Sequence, residues 1–249
     1  NYLLSEIFFW KILNKIIFTF IIFLILIGFG NYSFAIGITA DPVVVIETNL
    51  GNLTIELFPA DADKHVQNFL FLSTGVISES YYDNTLFHRI IPGFMIQGGD
   101  PNTINGEPNT WGMGGPDEKL DAEFNSIKHN RGIVSMARGG DVNSAGSQFF
   151  IVHQDSPHLD GKYTAFGRLA SEESFQTLDK IAAVTTGTND RPIDPEQVRI
   201  IKTTIIPTAS VSGYIPFVDP ERTDSPITKS TGSQIFENPE LGISFSIPE

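Results

Sequence analysis

The sequence predicts a mainly β domain of eight strands and two α-helices, folded as a barrel or a sandwich, of which we favour a closed eight-stranded barrel. Short β-branched and aromatic runs recur between clusters of Gly, Pro, Asn and Asp, which is the pattern of strands joined by turns. Two stretches show helical spacing of apolar residues instead. Closure would hide the edges that an open sheet exposes. Because side chains fill the interior of an eight-stranded barrel, we expect any binding groove on its outside.

The predicted elements follow from local patterns. Two β-branched runs on either side of an Asn/Gly turn at 49–52 form a hairpin. Residues 59–75 have apolar side chains at helical spacing and end at a glycine, and residues 172–183 repeat that spacing. The eight predicted strands are 43–48, 53–57, the two runs flanking Pro92–Gly93, 132–137, 148–152, 165–169 and 198–206.

The stretch 86–101, LFHRIIPGFMIQGGDP, is the most informative part of the chain. It reads as a strand, a tight turn and a second strand. Because side chains alternate along a strand, Phe87 and Arg89 share one face, and Met95 and Gln97 share another. Any one of these residues alone would be interpreted as ordinary core or surface. An arginine and a glutamine amid aromatic and thioether side chains together indicate a binding groove.

Composition excludes several classes of function. The 249 residues include 16 Lys and Arg against 29 Asp and Glu, a net charge of −13. Phosphate binding needs a basic surface, so we expect no nucleic-acid partner. The chain has no cysteine, which excludes disulfides and thiolate catalysis. Its five histidines lack metal-ligand spacing, so we expect no metal site. We interpret His88 as a hydrogen-bonded structural residue.

Residues 1–35 are typical of an export signal. Two lysines precede the apolar run 16–29, and a small-x-small site follows at 33–35. An uncleaved membrane anchor over residues 7–29 is the alternative, although that span includes polar residues. Both interpretations place the remainder outside the cytoplasm, in a periplasm or a thylakoid-lumen-like compartment.

The remaining segments differ in character from the main domain, which we place at 41–206. The loop 102–121 is rich in Gly, Pro and Asn, and loops of this length are usually functional or mobile. Residues 207–233 have linker composition. The end of the chain, 236–248, alternates apolar and polar residues. It is either a tail or the start of a further domain.

The motifs within 42–206 resemble those of the cyclophilin-type peptidyl-prolyl isomerases. The matching stretches, in order, are 87–100, 135–137, 146–151, 159–162 and 166–167. The resemblance implies an eight-stranded antiparallel barrel with two capping helices and a cofactor-free isomerase of X-Pro bonds. Such a bond rotates over a barrier of roughly 18–20 kcal/mol. Lowering that barrier needs a donor to the prolyl nitrogen, an apolar pocket and contacts that hold the peptide.

The resemblance also assigns roles. Arg89 matches the catalytic arginine, and Gln97 matches the glutamine that holds the substrate backbone and orients that arginine. Ala137 matches a small residue beside the groove, and Gln148 matches a second polar contact. The residues that match the apolar proline pocket are Phe94, Met95, Phe150 and Leu159.

Three positions depart from the family pattern. His158 stands where many eukaryotic members carry a tryptophan, which implies weak binding of cyclosporin. Tyr163 stands where a pocket histidine is usual, so the wall remains aromatic but changes polarity. Arg138 stands where an asparagine is frequent, and it adds a charge at the rim of the groove. We therefore expect an altered sequence preference rather than a loss of activity.

The sequence thus predicts an exported, monomeric peptidyl-prolyl cis–trans isomerase that acts on X-Pro bonds of unfolded or flexible polypeptides. One alternative is a cyclophilin-fold binding module that holds proline-containing segments, with incidental turnover. Another is a membrane-tethered assembly factor whose partner docks on residues 210–249.

Overall fold

The computed structural model describes residues 42–74, 80–215, 217, 233–238 and 243–248. Its larger body, within 42–217, is mainly β with three α-helices. The strands of this body are β1 Pro42–Thr48, β2 Gly51–Leu57, β3 Arg89–Ile91, β4 Met95–Gly98, β5 Ile133–Met136, β6 Phe149–Val152, β7 Ala165–Leu169 and β8 Ile200–Pro207. The helices are α1 Asp63–Thr74, α2 Asn102–Asn105 and α3 Glu172–Ala182.

The eight strands form one antiparallel sheet in the order β3-β4-β6-β5-β7-β2-β1-β8. The prediction of a mainly β, eight-stranded antiparallel fold is confirmed. The prediction of a closed barrel is wrong, because the sheet curves into an open half-barrel with β3 and β8 at its ends. Strand β3 pairs with β4 on one side, and among the described residues no ladder joins its other side to β8. A single bridge between Leu86 and Arg199 and a few loop hydrogen bonds span the opening.

The hollow of the half-barrel is filled by side chains, as expected. Phe69 of α1 lies 5.4 Å from Phe149 and 5.0 Å from Phe166 between ring centroids. Tyr82 lies 5.5 Å from Phe149, nearly edge to face. All four rings are fully buried, and each large side chain contributes roughly 1.5–3 kcal/mol by leaving water. This aromatic cluster explains why the predicted helix around Phe69 forms here.

The short helix α2 is a feature that sequence periodicity missed. It lies within the loop predicted at 102–121, where no apolar repeat marks a helix. Asp100 is fully buried, and its carboxylate accepts hydrogen bonds from the backbone N–H groups of Asn102 and Gly112. A local polar contact, rather than an apolar face, therefore initiates this turn of helix.

Residues beyond the predicted boundary at 206 continue to contact the larger body. Tyr214 donates a hydrogen bond to the carboxylate of Glu56 at 2.6 Å, and the Phe217 ring lies 4.8 Å from Phe58. The strands β9 Ser233–Asn238 and β10 Ile243–Pro248 form a separate two-stranded sheet. Whether this sheet begins a further domain stays a prediction.

The predicted leader at 1–35, with its alternative anchor at 7–29, lies outside the described residues. None of the helices within the described ranges is long and apolar enough to cross a membrane.

His88 is buried without a hydrogen-bond partner from the protein. Its side chain is 3% exposed, and among the described residues neither ring nitrogen has such a partner. The burial agrees with the expected structural role, whereas the expected hydrogen bond is replaced by a contact with the Leu86 backbone that falls outside ordinary hydrogen-bond geometry. Burial disfavours the charged imidazolium and lowers the pKa of His88 to about 4, although the nearby Asp100 carboxylate acts in the opposite direction.

We expect His88 to make folding stability depend on pH. Between the ordinary pKa of 6.5 and about 4, the unfolded chain binds a proton that the folded chain does not. The free energy of unfolding therefore falls as the pH falls through this window, and His88 contributes about 2–3 kcal/mol of that loss at pH 4.5. His88→Phe should reduce the difference between urea unfolding free energies at pH 7 and pH 4.5. An unchanged difference would contradict the assignment, and the exposed His158, changed to Phe, is the control.

Candidate active site

Three adjacent strands place polar and aromatic side chains in one row. Arg89 on β3 stands opposite Gln97 on β4, and Gln97 stands opposite Phe150 on β6. Directly opposed residues of antiparallel strands project from the same face of the sheet. The hairpin turn that joins β3 to β4 includes Gly93 at φ 76°, a backbone conformation that glycine adopts readily. The register thus brings Arg89 and Gln97 together on one face, whereas the prediction that Phe87 shares the face of Arg89 is wrong, because Phe87 is fully buried and packs against the aromatic cluster of the core.

An apolar cluster, which we take as the candidate proline pocket, adjoins this row. Met95, Phe150 and Leu159 are buried members of one apolar cluster. The partly buried side chains that pack against it include Phe94, Ala137 and Tyr163. The structure therefore brings together the residues predicted for a proline pocket.

Two aromatic contacts shape the walls of this pocket. Tyr163 meets Phe150 edge to face, with 5.6 Å between ring centroids. The exposed His158 lies 5.3 Å from Phe94, so it extends the rim of the pocket rather than its floor.

A chain of amide hydrogen bonds borders the groove on its polar side. Gln97 Nε2 donates to Gln148 Oε1 at 3.0 Å. Gln148 Nε2 in turn donates to the carbonyl of Gly114 at 2.8 Å. The chain fixes the orientation of Gln97 and connects it to the long loop after β4, so both predicted amide residues lie together beside the pocket.

Comparison with known proteins identifies the family. The family model for "Cyclophilin type peptidyl-prolyl cis-trans isomerase/CLD" matches residues 43–205, well over half of the chain. The chain belongs to the cyclophilin-type peptidyl-prolyl cis–trans isomerases. The predicted family and enzymatic activity are therefore confirmed, and the groove between β3 and β6 is the candidate active site of this isomerase.

Similar proteins come from distant organisms. A peptidyl-prolyl cis-trans isomerase-like 1 of Gibberella zeae is 43% identical over 166 residues, covering 66% of this chain and 94% of that protein. A peptidyl-prolyl cis-trans isomerase of Helicobacter pylori is 45% identical over 138 residues, covering 55% of this chain and 78% of that protein. The similarity lies in the isomerase domain.

A solved structure shows the same fold. The crystal structure of a Cryptosporidium parvum cyclophilin, determined in the presence of the dipeptide Ala-Pro, has a TM-score of 0.57 and 38% identity. The match covers 66% of this chain and 98% of that one.

Arg89 of this cyclophilin has a partner that sequence reasoning missed. Its Nε donates to Asp190 Oδ2 at 3.3 Å. The structure shows no hydrogen bond between Arg89 and Gln97 among the described residues, although the sequence predicted that Gln97 orients the arginine. Asn189 and Asp190 are typical turn residues, but nothing in their local sequence indicates which strand they face.

A second arginine is fixed at the rim of the groove. The Arg138 guanidinium lies over the Tyr163 ring, 4.7 Å from its centroid, which is a cation–π geometry. Its Nε and Nη2 donate to the Lys162 carbonyl at 3.2 and 3.0 Å, and its Nη1 donates to the Gly139 carbonyl at 2.9 Å. The predicted rim charge is therefore held in one place beside an aromatic wall of the pocket.

One cluster resembles a hydrolase triad but is structural. The His129 ring lies 3.1 Å from both Asp160 Oδ1 and Ser135 Oγ. Ser135 is fully buried and donates its hydroxyl hydrogen to the Thr164 carbonyl, so it has neither access to substrate nor a free proton to give. The His129 ring stacks on Phe150 at 6.2 Å. The cluster therefore supports the Phe150 side of the candidate pocket.

Proposed function

We propose that this cyclophilin isomerises X-Pro bonds with Arg89 as the catalytic donor. The observation that carries the proposal is the row formed by Arg89, Gln97 and Phe150 on β3, β4 and β6. A guanidinium is permanently charged and can only donate hydrogen bonds. Strand β3, which carries Arg89, pairs with β4, where the Gln97 amide can hold a peptide backbone. Strand β6, the next in the sheet, contributes Phe150 to the apolar pocket. These are the groups that rotation about a prolyl amide requires.

The groove lowers the barrier by binding the twisted amide better than the planar one. When the C–N bond rotates out of plane, the nitrogen lone pair leaves conjugation and becomes a better acceptor. A donor from Arg89 stabilises that state more than the ground state. The pocket that contains Phe150 holds the proline ring, while Gln97 holds the neighbouring backbone. Rotation forms and breaks no covalent bond, so these residues need only bind and polarise the substrate.

The substrates we propose are proline-containing segments of flexible polypeptides outside the cytoplasm. The crystallisation of the Cryptosporidium parvum relative with Ala-Pro supports the chemistry of the ligand. The lysines, apolar run and small-x-small site within residues 1–35 support export, and membrane attachment through 7–29 is the alternative. We propose a monomer. Cell fractionation of the full chain, with the mass of the mature N-terminus, tests the location.

We expect Arg89→Ala to abolish most activity without unfolding the domain. Loss of a donor to a developing acceptor costs about 2–4 kcal/mol of transition-state stabilisation, or about 30- to 900-fold in kcat/KM. Exchange NMR of a short X-Pro peptide measures the rate, and circular dichroism checks the fold. Lys202→Ala, which removes an exposed charge on β8, is the control and should leave the rate unchanged. Peptide binding without accelerated exchange by the wild type would favour a binding module.

We propose that Arg138 favours substrates with an acidic residue beside the proline. Its guanidinium donates to backbone carbonyls and has no carboxylate partner among the described residues, so its charge is available to a bound peptide. We expect peptides with Glu flanking the proline to be isomerised about two- to fivefold faster than peptides with Lys there. Arg138→Gln should remove that ratio, whereas Lys64→Gln on α1 should not. Equal rates for the two wild-type substrates would refute the proposal.

We also propose weak cyclosporin binding, because His158 occupies the position where the family resemblance places a tryptophan. We expect His158→Trp to tighten binding, since an indole has a larger aromatic surface than an imidazole and carries its N–H donor further from the backbone. Isothermal titration of cyclosporin into both proteins measures the change. Equal affinities would show that this position does not limit binding here.

A further inference from the structure

The loop that carries Asp190 is closed by backbone hydrogen bonds. Gly187 donates its N–H to the Arg191 carbonyl at 2.8 Å, and Ile193 donates its N–H to the Thr185 carbonyl at 2.9 Å. These bonds hold the two arms together and leave a three-residue turn, Thr188–Asp190, at the tip. The tip contacts strand β3, so the loop presents it to the strand that contains Arg89.

The backbone at the tip is confined to an uncommon conformation. Asn189 has φ 62° and Asp190 has φ 59°, both in the left-handed region that L-residues rarely occupy. Asn and Asp are the non-glycine residues that tolerate this region best. Two consecutive residues in this region constrain the position of the Asp190 Cα atom. From there, the Asp190 carboxylate reaches Arg89 Nε at 3.3 Å.

The contact engages one side of the guanidinium only. Arginine has five N–H donors, of which Nε carries one and the two terminal nitrogens carry four. Among the described residues, the hydrogen bond found for the Arg89 guanidinium is the one from Nε to Asp190. The terminal donors therefore stay available to a substrate.

The pair has more effect on orientation than on stability. Both side chains are about half exposed, at 43% for Arg89 and 46% for Asp190. Surface pairs of this kind contribute little free energy to folding. Arg89 lies on the three-residue edge strand β3, and its long side chain has several rotatable bonds. A carboxylate at Nε already restricts this side chain before substrate binds. The arginine therefore loses less conformational entropy when it engages the twisted amide.

We propose that Asp190 is a positioning residue for prolyl isomerisation, which holds Arg89 by Nε so that the terminal N–H groups face the substrate. This inference rests on the proposed catalytic role of Arg89. It assigns to the loop 185–193 a part in catalysis, although the loop itself provides no wall of the proline pocket.

The first test compares the kcat and KM of two variants, each of which removes one carboxylate from the same stretch of sequence. Asp190→Ala should lower kcat about two- to fivefold, the loss expected when an exposed pair no longer orders its partner, with KM nearly unchanged. Asp194→Ala is the matched control, because Asp194 is exposed and bonds to Gln197 rather than to the groove. It should leave both constants unchanged. Equal kcat for Asp190→Ala and wild type would overturn the inference.

A double-mutant cycle separates positioning from a structural role. In the Arg89→Ala background, exchange NMR at high enzyme concentration measures the residual rate, and adding Asp190→Ala should not lower it further. An equal fractional loss in both backgrounds would show that Asp190 acts through the fold, and would refute positioning. A ¹⁵N spectrum of the wild type and Asp190→Ala should show the Arg89 Nε–H resonance shifted by loss of its acceptor.

The two proposals fail in different ways. If Arg89→Ala retains full activity, the catalytic role of Arg89 is wrong, and the positioning role of Asp190 is wrong with it. If Arg89→Ala is inactive while Asp190→Ala has wild-type kcat, the catalytic role stands and the positioning role alone is wrong.

Discussion

The pairing of the four-residue strand β4 with both of its neighbours is the constraint on which the active site depends. Met95–Gly98 hydrogen-bonds to β3 on one side and to β6 on the other. The two registers together decide that Arg89, Gln97 and Phe150 share a row. A slip of one residue in either ladder would turn a whole strand's side chains to the opposite face, and would remove either the donor or the pocket from the groove.

Because β3 lies at the open edge of the sheet, Arg89 is contacted by a carboxylate from a loop rather than by a second neighbouring strand. Strand β3 is both the end of the half-barrel and the strand that carries the guanidinium. An inner strand positions side chains by neighbours on two sides, whereas an edge strand has one such neighbour. On the free side of β3, the loop at 185–193 takes the place of a strand and presents a carboxylate instead of a backbone ladder.

The sequence predicted what repeats locally and missed what depends on distant contacts. Alternating apolar and polar residues predicted the strands, and helical spacing of apolar residues predicted α1 and α3. The family motifs indicated that Arg89 and the apolar pocket residues belong to one site. Periodicity identifies a strand but not its partner, so closure between β3 and β8 could not be decided from it. Asp190 lies 101 residues from Arg89 in sequence, and only the fold shows that they meet.

The two arginines at the groove have opposite electrostatic surroundings within a chain of net charge −13. Arg89 is paired with a carboxylate that partly offsets its charge and directs its remaining donors. Arg138 bonds to neutral carbonyls and an aromatic face, which hold it without offsetting its charge. The first arrangement suits a group that must aim at one atom of the substrate, and the second suits a group that attracts charge nearby. We therefore expect catalysis and substrate preference to depend on different guanidinium groups of one groove.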